Sequence, residues 1–112
     1  MVLDYLKKPE VRRVLSVDPA SHSLAWVISE YSEGIKIIKS DKILFTKGST
    51  LEDKFNTIKA NIEAICKLYN VDVCVIEQSV YIQNFQTSRI LSYIIGYTWG
   101  IASLYCHTVL DV

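Results

Sequence analysis

The stretch "VLSVDPASHSLAWVIS", from Val14 to Ser29, decides the fold of this chain. It consists of two apolar runs separated by an aspartate, a proline and a short polar segment. Apolar runs bounded by turn residues indicate strands, so we predict one strand from Val11 to Asp18 and another from Leu24 to Tyr31. The carboxylate that ends the first strand needs an explanation, because charged side chains seldom adjoin a core without a partner.

A second stretch, "VDVCVIEQS" from Val71 to Ser79, repeats the pattern with Glu77. The apolar run from Val71 to Ile76 suits a strand in the middle of a sheet with parallel pairing. If this strand lies parallel to the first one, Asp18 and Glu77 emerge at the same edge of the sheet, where α/β proteins place their sites. The alternative is that each acid merely ends a strand or caps the next element of the chain.

The segment between these stretches predicts one more strand and a helix. Ser32 to Gly34 is a turn signal, and we expect a third strand from Ile35 to Phe45 that is broken or bent near Ser40 and Asp41. Three strands with short turns form an antiparallel meander.

Apolar residues then recur at steps of three and four from Leu51 to Tyr69, which indicates one face of a helix. Ser49 stands three residues before Glu52, as in a capping box, and Asn70 suits the end of the helix.

After Glu77 we expect a polar loop over Gln78–Gln86, a long helix over Thr87–His107 that is apolar around most of its girth, and the start of a further strand in "HTVLDV". Gly96 and Gly100 share one face of that helix and suggest close approach of another element. The order β-β-β-α-β-α-(β) predicts a mixed α/β sheet with helices on its faces. We expect a single domain over residues 1–112 whose C-terminal part is missing.

Composition excludes some classes of protein. Half of the 112 residues are hydrophobic and 21% are charged, which argues against disorder. Twelve basic and twelve acidic residues give a formal net charge of zero, so a nucleic acid would have to be held by a local patch. The basic cluster Lys7, Lys8, Arg12 and Arg13 is one candidate; otherwise it is a solvated terminus.

Three widely spaced cysteines, Cys66, Cys74 and Cys106, lack zinc-site spacing and predict buried, reduced thiols. The N-terminus lacks the apolar core of a signal peptide. Residues 90–106 carry no charge, and we interpret them as a buried helix of a soluble domain rather than a membrane span. The expected location is cytoplasmic.

Two carboxylates at one sheet edge predict a metal site. Hard oxygen ligands with open coordination positions suit Mg²⁺ or Mn²⁺, which take their remaining ligands from water and phosphate. Such ions activate water in phosphodiester cleavage.

These motifs together resemble RuvC-type Holliday-junction resolvases. "VLSVDPASHSLAWVI" looks like the first hairpin of that family, and "VCVIEQSVYIQNFQTSRILSYIIGYTWGIA" looks like its second motif, a strand, Ile-Glu-Gln, a polar loop and a long helix. The acids are 59 positions apart, which also fits. The resemblance extends from about Val11 to His107.

The resemblance implies a ribonuclease H-like fold and a homodimeric, metal-dependent endonuclease that cuts four-way DNA junctions in recombination and repair. Asp18 and Glu77 would be its first two catalytic metal ligands, with Mg²⁺ or alternatively Mn²⁺. The long helix would contribute to the dimer interface, where Gly96 and Gly100 would lie.

The chain also departs from the family pattern. The family places further acids on a helix after the last strand, and this chain ends before such a helix; Asp111 falls inside the predicted fifth strand and is not assigned to that role. Relatives place an aromatic residue where Val80 stands here. Tyr81 or Phe85 could stack on an unpaired base instead, or fold back on the core.

Two further residues are candidates for DNA contacts. His22 lies in the loop beside Asp18 and could meet phosphate, and Arg89 opens the long helix and could contact DNA. The alternative for each is a solvated surface residue. Two other functions remain open, a non-catalytic nucleic-acid-binding relative and a phosphotransferase of the actin and sugar-kinase type. The latter usually has glycine-rich turns in its first hairpin, and none lies between Asp18 and Trp26.

Overall fold

The computed structural model describes residues 12–77 and 85–112, with the side chains of residues 85–88 excepted. These described residues form five strands and two helices in the predicted order. In chain order they are β1 (Arg12–Pro19), β2 (Ser23–Tyr31), β3 (Ile35–Leu44), α1 (Leu51–Tyr69), β4 (Val73–Ile76), α2 (Phe85–Tyr105) and β5 (Thr108–Asp111).

The strands form one mixed sheet in the order β3-β2-β1-β4-β5. The first three strands pair antiparallel, as the meander predicts, and β4 pairs parallel with both β1 and β5. The central strand β1 therefore has the hairpin partner on one side and the parallel partner on the other. This confirms the neighbour relationship on which the predicted site depends.

Both helices contribute to a core on one face of the sheet. The alternation of β1 turns Leu15 and Val17 toward this core, and both side chains have no exposed surface. The core residues are Leu15, Val17, Leu24, Trp26, Ile28, Ile43, Ile58, Ile62, Ile65, Cys66, Val71, Cys74, Ile76, Ile94, Ile101, Ala102 and Cys106. The three cysteines are buried free thiols, as predicted.

The irregularity in β3 lies at Ile38, so the predicted break near Ser40 and Asp41 is wrong. The strand is continuous, and its pairing with β2 shifts between Ile28 and Ser29, whose partners are Lys39 and Ile37. Ile38 is the extra residue of this bulge, and its side chain packs against the core. The bulge lets this partly buried isoleucine contact the core, a tertiary contact that turn propensity does not reveal.

The N-cap of α1 is Thr50, and the prediction of a capping box from Ser49 to Glu52 is wrong. The Thr50 hydroxyl accepts a 3.1 Å hydrogen bond from the Asp53 amide, and the Asp53 carboxylate accepts one of 3.1 Å from the Thr50 amide. Thr50 has the extended backbone that a cap requires. At the other end, Asn70 adopts the left-handed conformation, as predicted.

Helix α2 runs from Phe85 to Tyr105, two residues ahead of the predicted span at each end, and Gly96 and Gly100 lie on an exposed face. A Cβ atom added at either glycine would meet no heavy atom within 4 Å in the described part of the chain. The expectation of close approach by another element is therefore not met among residues 12–77 and 85–112. None of the described helices is long and apolar enough to span a membrane.

Candidate active site at the carboxyl edge of the sheet

The pairing of β1 with β4 brings Asp18 and Glu77 side by side. The parallel register runs from Val14 opposite Val73 to Val17 opposite Ile76, and the next position on each strand is an acid. The Glu77 amide donates a 2.8 Å hydrogen bond to the Val17 carbonyl, which extends the pairing to the end of both strands. Neighbouring strands lie about 4.8 Å apart, so the two carboxylates are within reach of one cation.

Both acids lie on the face of the sheet opposite the helices. Side chains alternate along a strand, so Asp18 points away from the core toward which Val17 points. Asp18 and Glu77 are exposed and line one shallow cleft of about 220 Å³. The cleft is lined by Ser16, Val17, Asp18, Ala25, Trp26, Val27 and Glu77.

No hydrogen bond or ion pair holds either carboxylate within the described chain. Arg13, by contrast, is engaged near the opposite end of β1, where it contacts Glu30 at 3.1 Å and the Tyr69 carbonyl at 3.0 Å. Two adjacent carboxylates without a protein cation repel each other and present oxygen atoms to solvent. This donor set fits Mg²⁺ or Mn²⁺ and would suit Zn²⁺ poorly, since zinc favours nitrogen and sulfur ligands.

Within residues 12–77 and 85–112, no three His, Cys, Asp or Glu side chains form a group that could hold a metal ion. Asp111 is opposite Ile76 in the pairing of β4 with β5, so it projects to the helix-covered side of the sheet. Asp111 therefore does not join the two acids in this cleft.

The other predicted site residues are dispersed. His22 is exposed in the β1–β2 turn and lines a different cleft, next to Phe45. Arg89 is exposed on the second turn of α2. Neither side chain lines the cleft that holds Asp18.

Some of the predicted site residues cannot be placed relative to the cleft. Tyr81, Lys7 and Lys8 lie outside the described residues. Phe85 is the first residue of α2, and its side chain is outside the description.

Sequence reasoning missed two features of this edge. Ser16 lines the cleft beside Asp18, a position that the alternation of β1 would have revealed. Lys54 lies on α1 but lines the cleft next to His22, and only the tertiary arrangement of α1 against the hairpin reveals this.

The sequence of this chain matches the model of one protein family. The model of the family described as crossover junction endodeoxyribonuclease RuvC matches residues 14–105. No curated protein sequence matches the chain.

Among solved structures, RuvC of T. thermophilus in complex with a Holliday junction substrate superposes with a TM-score of 0.75 at 8% identity, over 88% of this chain and 64% of that one. The yeast mitochondrial Holliday junction resolvase gives 0.70 at 12% identity, over 90% of this chain and 50% of that one. An RNase H of Halobacterium salinarum gives 0.50 at 11% identity, over 90% and 83%.

The fold is thus ribonuclease H-like, as predicted. The chain spans less than two thirds of the length of the resolvases it superposes on. Because the family model covers most of the sequence, the chain belongs to the RuvC family.

Proposed function

We propose that this chain carries two metal ligands of a structure-selective endonuclease that cuts four-way DNA junctions in recombination and repair. The observation that carries the proposal is the register of β1 and β4, which ends in Asp18 and Glu77 at one edge of the sheet. Membership in the RuvC family supports the reaction class. A complete metal site would need further ligands beyond these two.

Asp18 and Glu77 hold the metal ion in this proposal. Bound Mg²⁺ or Mn²⁺ supplies activation of water and stabilisation of the leaving oxygen. The two carboxylates fix the ion at the sheet edge because their backbones are held by adjacent strands, and the Glu77 amide is itself tied to Val17. Because both carboxylates are exposed, an ion held by them would remain accessible to water and to a phosphate of the substrate.

The proposed substrate is branched DNA. The T. thermophilus protein, which shares this fold, was solved in complex with a Holliday junction substrate, and this supports branched DNA as the substrate. A net charge of zero requires local contacts, for which we propose His22 and Arg89, with Tyr81 and Phe85 as candidates for base stacking.

We propose that the enzyme is a homodimer that uses the exposed face of α2. This face combines Gly96 and Gly100, above which space is open, with Tyr93 and Leu104, which are 46% and 70% exposed. Small residues between larger apolar ones allow two helices to approach closely. Two copies would present two metal sites to the two strands that must be cut in a four-way junction.

Cleavage of a synthetic four-way junction in Mg²⁺ tests the nuclease, and electron paramagnetic resonance of Mn²⁺ tests the ion site separately. Asp18→Asn and Glu77→Gln should each lower cleavage at least 100-fold and weaken Mn²⁺ binding, with Glu33→Gln as the exposed control. Cleavage at the parent rate in both variants would overturn the site. Junction binding with neither cleavage nor Mn²⁺ binding by the parent chain would instead identify a non-catalytic relative.

A further inference from the structure

A second cleft lies next to the β1–β2 turn, separate from the carboxylate cleft. Its volume is about 400 Å³, and it lies between that turn and the start of α1. The lining residues are His22, Phe45, Thr46, Lys47, Gly48, Ser49 and Lys54. No acidic side chain is among these lining residues, and two of them are lysines.

This cleft lies at the same edge of the sheet as Asp18. Strand β3 runs antiparallel to β2, which runs antiparallel to β1, so β1 and β3 end at the same edge. The Phe45 amide, directly after β3, donates a 3.1 Å hydrogen bond to the His22 carbonyl in the turn that follows β1. The backbone thus ties the wall of the cleft to the strand that carries Asp18.

Two lysines give this cleft positive charge. The Lys54 ammonium donates a 3.0 Å hydrogen bond to the Ser49 carbonyl, which holds the lysine across the loop at the start of α1. The Lys47 side chain is exposed and makes no hydrogen bond or ion pair with another described residue. Lysine ammonium groups placed together at a concave surface attract phosphate.

Ser49 supplies an independent sign of a missing ligand. Less than 1 Å² of its hydroxyl oxygen is exposed, and the oxygen has no hydrogen-bond partner within the described chain. Buried hydroxyl groups are normally paired, and an unpaired one points to a water or an ion that completes it. Because the oxygen is shielded from solvent, the Ser49 side chain would have to adopt another rotamer before its hydroxyl could donate to a group bound in the cleft.

A groove on the other side of the same loop shares Lys47 and Ser49 but differs in charge. It measures about 550 Å³, and it is lined by Asp53 and Asn56 where the first cleft has His22 and Lys54. The Asp53 carboxylate accepts a hydrogen bond from the Thr50 amide in the cap of α1. Its negative charge disfavours an anion in the groove, so the His22 side of the loop suits phosphate better.

We propose that the cleft formed by His22, Lys47, Ser49 and Lys54 binds a backbone phosphate of the DNA arm that flanks the cleavage site. This inference rests on the proposed function, since DNA is the substrate there. The phosphate contact positions the duplex at the sheet edge and carries no sequence information. It also explains how a chain of zero net charge holds a polyanion, through a local cluster of lysines.

Junction binding measured by fluorescence anisotropy in EDTA, at several salt concentrations, tests this cleft without metal or cleavage. The logarithm of the affinity falls with the logarithm of salt concentration by about 0.9 per phosphate contact on duplex DNA. Lys47→Ala combined with Lys54→Ala should reduce that slope by about 0.9 to 1.8 and weaken binding several-fold at low salt. Lys59→Ala, an exposed lysine further along α1, should change neither quantity.

Lys54→Arg keeps the positive charge, so its affinity should depend on salt concentration as that of the parent does. This variant distinguishes the effect of lost charge from that of a disturbed loop. Inorganic phosphate should shift the amide resonances of Gly48 and Ser49 in the parent and not in the double variant. An unchanged slope in the double variant, or an equal loss in Lys59→Ala, overturns the inference. Absence of junction binding by the parent also overturns it.

The two proposals fail separately. If the slope changes as expected while no variant or parent cleaves DNA, the phosphate cleft stands and the nuclease proposal falls. If cleavage depends on Asp18 while the slope is insensitive to both lysines, the nuclease stands and the phosphate cleft falls.

Discussion

The amide of Glu77 donates a 2.8 Å hydrogen bond to the carbonyl of Val17, the residue directly before Asp18. This bond continues the parallel ladder one position beyond Ile76 and thereby sets Glu77 beside Asp18. Neither acid therefore depends on a long loop for its position. At the proposed ion site the backbones of both acids are thus fixed by adjacent strands, so the entropy lost on ion binding would come from the two side chains alone.

Mg²⁺ should raise the thermal stability of the parent chain and not that of Asp18→Asn or Glu77→Gln. A ligand that binds only the folded state stabilises it by about 2.7 kcal/mol at 100 times its Kd, which is roughly 10 °C of Tm for a chain of this size. Without metal, the parent should not be the more stable protein, because neutralising one of two adjacent carboxylates removes a repulsion between them. The metal-free Tm of each variant should equal or exceed that of the parent.

Differential scanning calorimetry without metal and with about 10 mM Mg²⁺ measures both effects. Glu33→Gln in the β2–β3 turn is the matched control, since it removes an exposed acid far along the sheet from this edge. An equal Mg²⁺ response in Asp18→Asn and the parent would show that the ion binds elsewhere.

Thr50→Ala should destabilise the chain, while Ser49→Ala should not. The Thr50 hydroxyl caps α1, and loss of an N-cap costs about 1 kcal/mol, within a range of about 0.5–2. The Ser49 hydroxyl is buried and unpaired among the described residues, so its removal is neutral or slightly stabilising. Urea denaturation of both variants measures the difference, and equal free energies of unfolding would contradict the observed cap.

Ser49 and Thr50 show why the N-cap of α1 could not be predicted from the sequence alone. "KGSTLED" offers two overlapping capping patterns, Ser49 with Glu52 and Thr50 with Asp53, and both satisfy the rule. The choice depends on where the backbone turns from β3 into α1, and tertiary packing determines that point. The bulge at Ile38 has the same origin, since the gain from burying one isoleucine outweighs local turn preference.

The positions of the two acids were predictable for a different reason. Apolar runs that lead into Asp18 and Glu77 are local features, and the element order allows β1 and β4 to pair parallel, as they do in the structure. The lysine-lined cleft was not predictable in the same way. Lys54 belongs to the polar side of a helix by sequence, and only the packing of α1 against the first hairpin brings it close to His22.

The buried thiols should make the chain less stable as pH rises above about 8.5. Burial raises the pKa of the Cys74 thiol well above its usual range, and a hydrogen bond with Cys66, 3.8 Å away, raises the pKa of Cys106. The unfolded chain releases these protons near its ordinary thiol pKa of about 8.5 while the folded chain retains them. Stability is therefore full below about pH 8.5 and declines by about 1.4 kcal/mol per pH unit for each such thiol.

Urea denaturation at about pH 7, 9 and 10 measures this slope. Cys74→Ala should lower the free energy of unfolding at neutral pH because it leaves a cavity, and it should also make the decline with pH shallower. The folded chain should resist iodoacetamide at about pH 8, whereas all three cysteines should react in urea. Rapid alkylation of the folded chain would contradict the burial of these thiols.

Gly100→Ala should change the stability of the monomer and of the dimer in opposite directions. The position is helical and exposed, and an added Cβ meets nothing within 4 Å among the described residues, so the monomer gains up to about 1 kcal/mol of helix propensity. A partner helix packed against this glycine would be pushed away by the same methyl group. Sedimentation equilibrium should therefore show weaker dimerisation of a variant whose monomer unfolds at higher urea concentration.

Ser103→Ala, also exposed on α2 but bonded to the Trp99 carbonyl, is a control that adds no bulk. A dimer that survives Gly100→Ala and Gly96→Ala together at the parent's Kd would place the interface on another surface.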